Sequence, residues 1–132
     1  MKKTISVLAA VVAVLAAPVA AQAKDKLTPQ QRLDKILEGR VAGKPVTCIS
    51  LSDSHDMVVL NHLAIVYKAG SVIYVNKTSN PQLLDSDDIQ VSTITGSGLC
   101  RLDMIHMHER TMGTWHGTLS LEDFVPYRKV KN

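Results

Sequence analysis

The sequence carries almost no surplus of one charge: 15 lysines and arginines face 12 aspartates and glutamates over 132 residues. Lys2 and Lys3 fall in a segment read below as a leader, which leaves 13 basic residues against the same 12 acidic ones. That balance excludes a strongly basic nucleic-acid binder and a polybasic membrane-surface protein. A phosphate-cradling glycine loop is missing. So is the Gly-x-Ser-x-Gly elbow of serine hydrolases. Gly96-Ser97-Gly98 is too short a match and lies between strands rather than before a helix. Asp85, Asp87 and Asp88 lack the Gly and Glu spacing of a calcium loop and read as a solvated acidic turn. No nucleophile–base pair can be named, so a hydrolase has no residues to rest on, and the expectation is a non-enzymatic protein. Repeats and low-complexity linkers are also missing. What is present is a chain with 45% hydrophobic and 20% charged residues, a composition that folds.

Residues 1–23 have the pattern of a secretory signal. Lys2 and Lys3 precede the uncharged run Ile5–Ala17, Pro18 ends it, and Ala21-Gln22-Ala23 supplies a small-x-small cleavage site. The run is short for a membrane span, which needs about 20 apolar residues, although an uncleaved anchor is the rival reading. No cysteine follows it, which argues against a lipid anchor. The lysine-led, alanine-rich leader has a bacterial character, so the expected destination is the periplasm or the medium, with no stable membrane span after cleavage. The remaining residues, 24–132, are few enough for one domain.

Cys48 and Cys100 are the only cysteines and allow one connectivity. An oxidising compartment favours joining them. The loop would span roughly fifty residues, worth about 4 kcal/mol by chain entropy. Two buried thiols, or a thiol metal site, are the alternatives. Neither cysteine sits in the Cys-x-x-Cys spacing of redox or zinc motifs.

The spacing predicts a short amphipathic helix over 29–38. Thr28 caps it, Pro29 opens it, Gln31 completes a capping box, Leu33, Ile36 and Leu37 share a face, and Gly39 stops it. After Gly43 the pattern turns to about seven short strands with short connections, hence antiparallel neighbours. The expected fold is mainly β: a small antiparallel sandwich or partly open barrel with one N-terminal helix. Ala69-Gly70 reads as a hairpin turn. Around it both faces are apolar, Ala64 and Val66 on one and Ile65 and Tyr67 on the other, so this hairpin should be central. Its tyrosines, Tyr67 and Tyr74, read as packing rather than as a ligand groove. Phe124 to Asn132 reads as a tail with basic Arg128, Lys129 and Lys131.

One chemical lead stands out. Met104-Ile105-His106-Met107-His108 is followed by Met112 and His116. His-x-His on a strand puts two imidazoles on one face. Imidazole with thioether suits copper, and imidazole alone suits zinc or Cu(II). With Arg110–Gly113 as the loop, Glu109 pairs with Thr114 and His108 lies opposite Trp115. Leu102, Met104, Leu119 and Leu121 then form the core face, and His116 falls on the opposite side from His106 and His108. No three-histidine site forms in that register. A bulge that changes the face near Met104 would instead bury Ile105 and Met107 and expose both histidines. His106, His108 and Met104 are too few to close a metal site; they would make a weak one, or His55 or His62 would complete it. The alternative function is thus copper or zinc binding through His106 and His108, with Met104, Met107 or His116 assisting. The bland reading is two hydrogen-bonded strand histidines beside a tryptophan.

Several stretches resemble an uncharacterised family of small secreted proteins from proteobacteria of the sphingomonad type. They are Gly39-Arg40-Val41-Ala42-Gly43 leading to Cys48-Ile49, Ala64-Ile65-Val66-Tyr67, Ile73-Tyr74-Val75-Asn76, Leu99-Cys100 with Asp103, and Asp123-Phe124-Val125-Pro126-Tyr127. The resemblance covers most of residues 39–128 and takes in both cysteines, which supports their pairing. It implies a compartment and a fold, and carries no activity to transfer. The His-x-His lies outside its pattern. The leading expectation is a disulfide-stabilised binding or envelope protein with a protein partner.

Overall fold

The computed structural model describes residues 26–131. The leader expected over 1–23 and its cleavage site lie outside the described residues. Helix α1 (Pro29–Ile36) forms where its capping signals predict. Thr28 Oγ1 accepts the Gln31 N–H at 3.2 Å, and Gln31 Oε1 accepts the Thr28 N–H at 2.9 Å. The helix stops two residues before the expected 38. Leu37 N–H closes onto Leu33 O, and Gly39 follows in a left-handed conformation.

Ten strands follow rather than seven: β1 (Arg40–Ala42), β2 (Cys48–Ser50), β3 (Met57–Leu60), β4 (Ala64–Ala69), β5 (Val72–Asn76), β6 (Ile89–Thr93), β7 (Gly98–Cys100), β8 (Met104–His108), β9 (Trp115–Ser120) and β10 (Val125–Lys129). Among the described residues they build a five-stranded sheet in the order β1-β10-β5-β4-β3, a β2-β7 ribbon and a β6-β8-β9 sheet. Every strand pair is antiparallel. None of the three sheets closes into a barrel, and the fold is mainly β and sandwich-like.

Strand β4 divides two cores. Ala64 and Val66 join Leu33 of α1, Leu60, Ile73 and Val75 on one face of the large sheet. Ile65 and Tyr67 face the other way, among Leu99, Ile105, Met107, Leu119, Leu121 and Phe124. The Tyr67 ring meets Phe124 at 5.7 Å between centroids. The β4–β5 hairpin is therefore dry on both faces, as its two-sided apolar pattern requires. Burial pushes the Tyr67 phenol pKa well up, and the ring serves packing.

Its turn is Gly70-Ser71 rather than Ala69-Gly70, because Ala69 pairs with Val72 and Tyr67 with Tyr74. Gly70 has φ +58°, the value a tight hairpin asks of its first turn residue. Each partner moves by two positions, so every side chain keeps its expected face.

The expected C-terminal tail is a correction. Phe124 is fully buried, and β10 lies between β1 and β5 inside the large sheet. Pro126 argues against an inner strand from sequence. Its carbonyl points toward the β1 side, where it accepts the Gly43 N–H at 2.7 Å. The donor that proline lacks would face that same side, just past the end of β1, so the pairing of β10 with β5 loses no bond. Arg128, Lys129 and Lys131 remain exposed.

Candidate functional site

Cys48 and Cys100 face each other across the β2-β7 ribbon and are joined as a disulfide. The Thr47 carbonyl accepts the Arg101 N–H at 2.7 Å beside it. The chain leaving Cys100 then turns sharply. Leu102 adopts φ +72°, and the Asp103 carboxylate folds back to accept the Cys100 N–H at 2.7 Å and the Thr95 hydroxyl at 3.2 Å. Asp103 is buried, and its charge is met by those donors.

This turn sets which side of β8 faces inward. Asp103, Ile105 and Met107 point into the molecule. Leu102 and Met104, expected in the core, are 65% and 41% exposed. The expected alternation failed because a buried aspartate occupies the position that binary patterning assigns to solvent. Ile105 and Met107 are buried, as the bulge alternative requires, but the bulge lies opposite Met107 and His108, in β9, rather than near Met104. His108 pairs with Trp115 as expected, but Met107 pairs with Gly117, His106 with Thr118 and Ile105 with Leu119. The additional residue is His116. Gly117 follows it at φ +156°, which L side chains rarely adopt, and a Cβ there would stand 3.0 Å from Leu83 Cδ1, so that side chain would have to give.

The inner face of the β6-β8-β9 sheet is thereby core, and its outer face is exposed. Register places Ile89 beside His108 and Trp115, Val91 beside His106 and Thr118, and Thr93 beside Met104 and Ser120. Ile89, Val91 and Met104 are each more than two-fifths exposed, and Trp115 is 62% exposed. Polar contacts hold this surface in shape. Thr118 Oγ1 accepts the Trp115 indole N–H at 3.2 Å and shares a 2.9 Å hydrogen bond with His106 Nδ1. His108 Nδ1 lies 3.1 Å from the Gly113 carbonyl, which can only accept, so this nitrogen carries the proton. Glu109 anchors the loop beyond, its carboxylate taking the Thr111 and Met112 N–H groups at 2.7 Å each. Hydrogen bonds from Thr111 and Met112 hold the Glu109 carboxyl below its usual pKa.

The histidines do not converge. His106 and His108 share the outer face, while His116 is the unpaired residue of the bulge between Trp115 and Gly117. Its Nδ1 lies 2.7 Å from Asp88 Oδ2. Met107 is fully buried and Met112 is exposed in the loop. His62 Nδ1 donates to the Gln82 carbonyl at 2.8 Å, and His55 is exposed near β3. Among the described residues no three His, Cys, Asp or Glu side chains gather into a metal-holding group. Copper or zinc is therefore not the favoured reading. Asp85 serves its own turn, accepting the Asp87 N–H and the Asn61 amide.

Sequence reasoning found His106, His108 and Trp115 but missed Ile89, Val91 and Thr118. The register of β6 against β8 joins segments between which β7 leaves to pair with β2, and no local signal encodes it. Among the described residues no helix is long and apolar enough to cross a membrane. No family model, no curated protein and no solved structure matches the chain.

Proposed function

We propose that this chain acts outside the cytoplasm, in the periplasm or the medium, as a non-enzymatic binding domain held by one disulfide. Its contact surface is the outer face of the β6-β8-β9 sheet, and its partner is an envelope or secreted protein. One observation carries the reading: a tryptophan, a methionine and two aliphatic side chains are exposed together on one register-fixed face. Exposed apolar surface rimmed by polar groups marks interaction sites, and tryptophan is over-represented among residues that dominate binding energy. The leader pattern, the disulfide and the resemblance to small secreted proteins support the compartment.

Two experiments test it. Intact mass of the protein from a periplasmic fraction should show cleavage after Ala23 and two hydrogens fewer than the dithiol form. An uncleaved cytoplasmic dithiol would contradict the export reading. Affinity capture from the envelope should recover a partner with the wild type and lose it with Trp115→Ala combined with Val91→Glu. Equal recovery with both proteins would contradict the assigned face.

A further inference from the structure

A second surface, on the opposite side of the large sheet, has a different chemistry. Helix α1 fully buries only Leu33. Ile36 of α1, Leu27 before it and Val58 of β3 floor an open groove of about 370 Å³ between the helix and the sheet. The rest of its lining is Arg32 and Lys35 from α1 and Lys68 from β4. No acid lines it.

Lys68 lies on the helix-covered face of β4, two residues beyond Val66, where the stripe Ala64-Val66 would continue with an apolar residue. Arg32 and Lys35 are three apart on the helix and so are neighbours. Among the described residues the ion pairs are Arg101–Asp123 and His116–Asp88, so none of these three cations is paired. The nearest acid on the helix, Asp34, takes the Gln30 amide at 2.7 Å instead. Arg32, Lys35 and Lys68 surround one aliphatic floor with no acid in its lining.

We propose that this groove binds a monomeric anionic amphiphile. A carboxylate or phosphate head is held by Arg32, Lys35 and Lys68, and an aliphatic chain lies on Leu27, Ile36 and Val58. The charges supply the complement to one anion, and a groove of this volume falls within the range of small-molecule sites. The inference does not depend on the protein partner proposed above, since it concerns another face of the molecule.

Amide-resolved NMR titration of the oxidised protein tests it. The probes are decanoate and decyl phosphate below their micellar concentrations, with decanol and inorganic phosphate as controls. The expected result is saturable one-to-one binding, with shifts confined to α1, β3 and the Lys68 end of β4. Lys35→Glu with Lys68→Glu should weaken it at least tenfold while the amide dispersion is kept. Lys68→Met, which retains the apolar stem, should weaken it a few-fold and carries the test if charge reversal disturbs the fold. Decanol or inorganic phosphate binding as tightly as decanoate would overturn the proposal. So would shifts centred on other strands, unchanged affinity in the variants, or binding to phosphatidylglycerol vesicles without any binding of the monomers.

Discussion

The two long hairpins of this molecule use similar residues for opposite ends. The β4–β5 hairpin buries both faces, Tyr67 toward the small sheets and Val66 toward the helix. The β8–β9 hairpin buries one face through Ile105, Met107 and Leu119 and leaves Met104, His106, His108 and Trp115 on the other. The first is scaffold, and a substitution there is felt through packing. The second divides its labour by face, so inner substitutions should act on stability and outer ones on recognition.

Perturbing the scaffold should give the largest effects. Tyr67→Ala removes a buried ring that meets Phe124 and should cost about 3–5 kcal/mol, read from the urea midpoint. Replacing Cys48 and Cys100 together with alanine should cost about 4 kcal/mol, because a separation of 52 residues is no longer closed in the unfolded chain. Gly117→Ala pushes a methyl against Leu83 and should cost about 1–3 kcal/mol, with shifts concentrated at the bulge. Trp115→Ala should sharpen the contrast: its effect on stability should stay within about 0.5 kcal/mol while partner capture is lost. A large loss of stability there would make the outer face structural.

The smallest effect concerns pH. Glu109 is held below its usual pKa by Thr111 and Met112. A carboxyl with a lowered folded-state pKa stabilises the loop above its unfolded pKa, and this is lost as pH falls through the folded one. The Thr111 and Met112 amide shifts should therefore titrate together with a midpoint below 4.5, and Glu109→Gln should abolish that titration.

The contrast between the hairpins also explains what was legible in the sequence. Strand β4 could be read because its burial follows from composition alone: with no polar alternation, either register leaves it central. The helix was legible because Thr28 and Gln31 cap it within one turn. Strand β8 misleads because Asp103, a charged residue, points inward and is satisfied by a backbone N–H and a hydroxyl that no local pattern reveals. Strand β10 was hidden by Pro126, whose missing donor matters only once the end of β1 is known. The candidate face was half legible. His106, His108 and Trp115 stand in one hairpin, while Ile89 and Val91 reach it through a pairing that skips over β7. The clustered His and Met stay apart: His116 bonds Asp88 at the bulge, Met107 is buried in the core and Met112 stands exposed in the loop.

We propose that a partner meets the outer face of the β6-β8-β9 sheet. The most direct test places a photo-crosslinking amino acid, one position at a time, at Val91, Trp115 and the exposed Val41 of β1 in the exported protein. A discrete adduct in the envelope at positions 91 and 115 and none at 41 is the predicted result. Adducts at 41 alone, or the same adducts at all three positions, would contradict it.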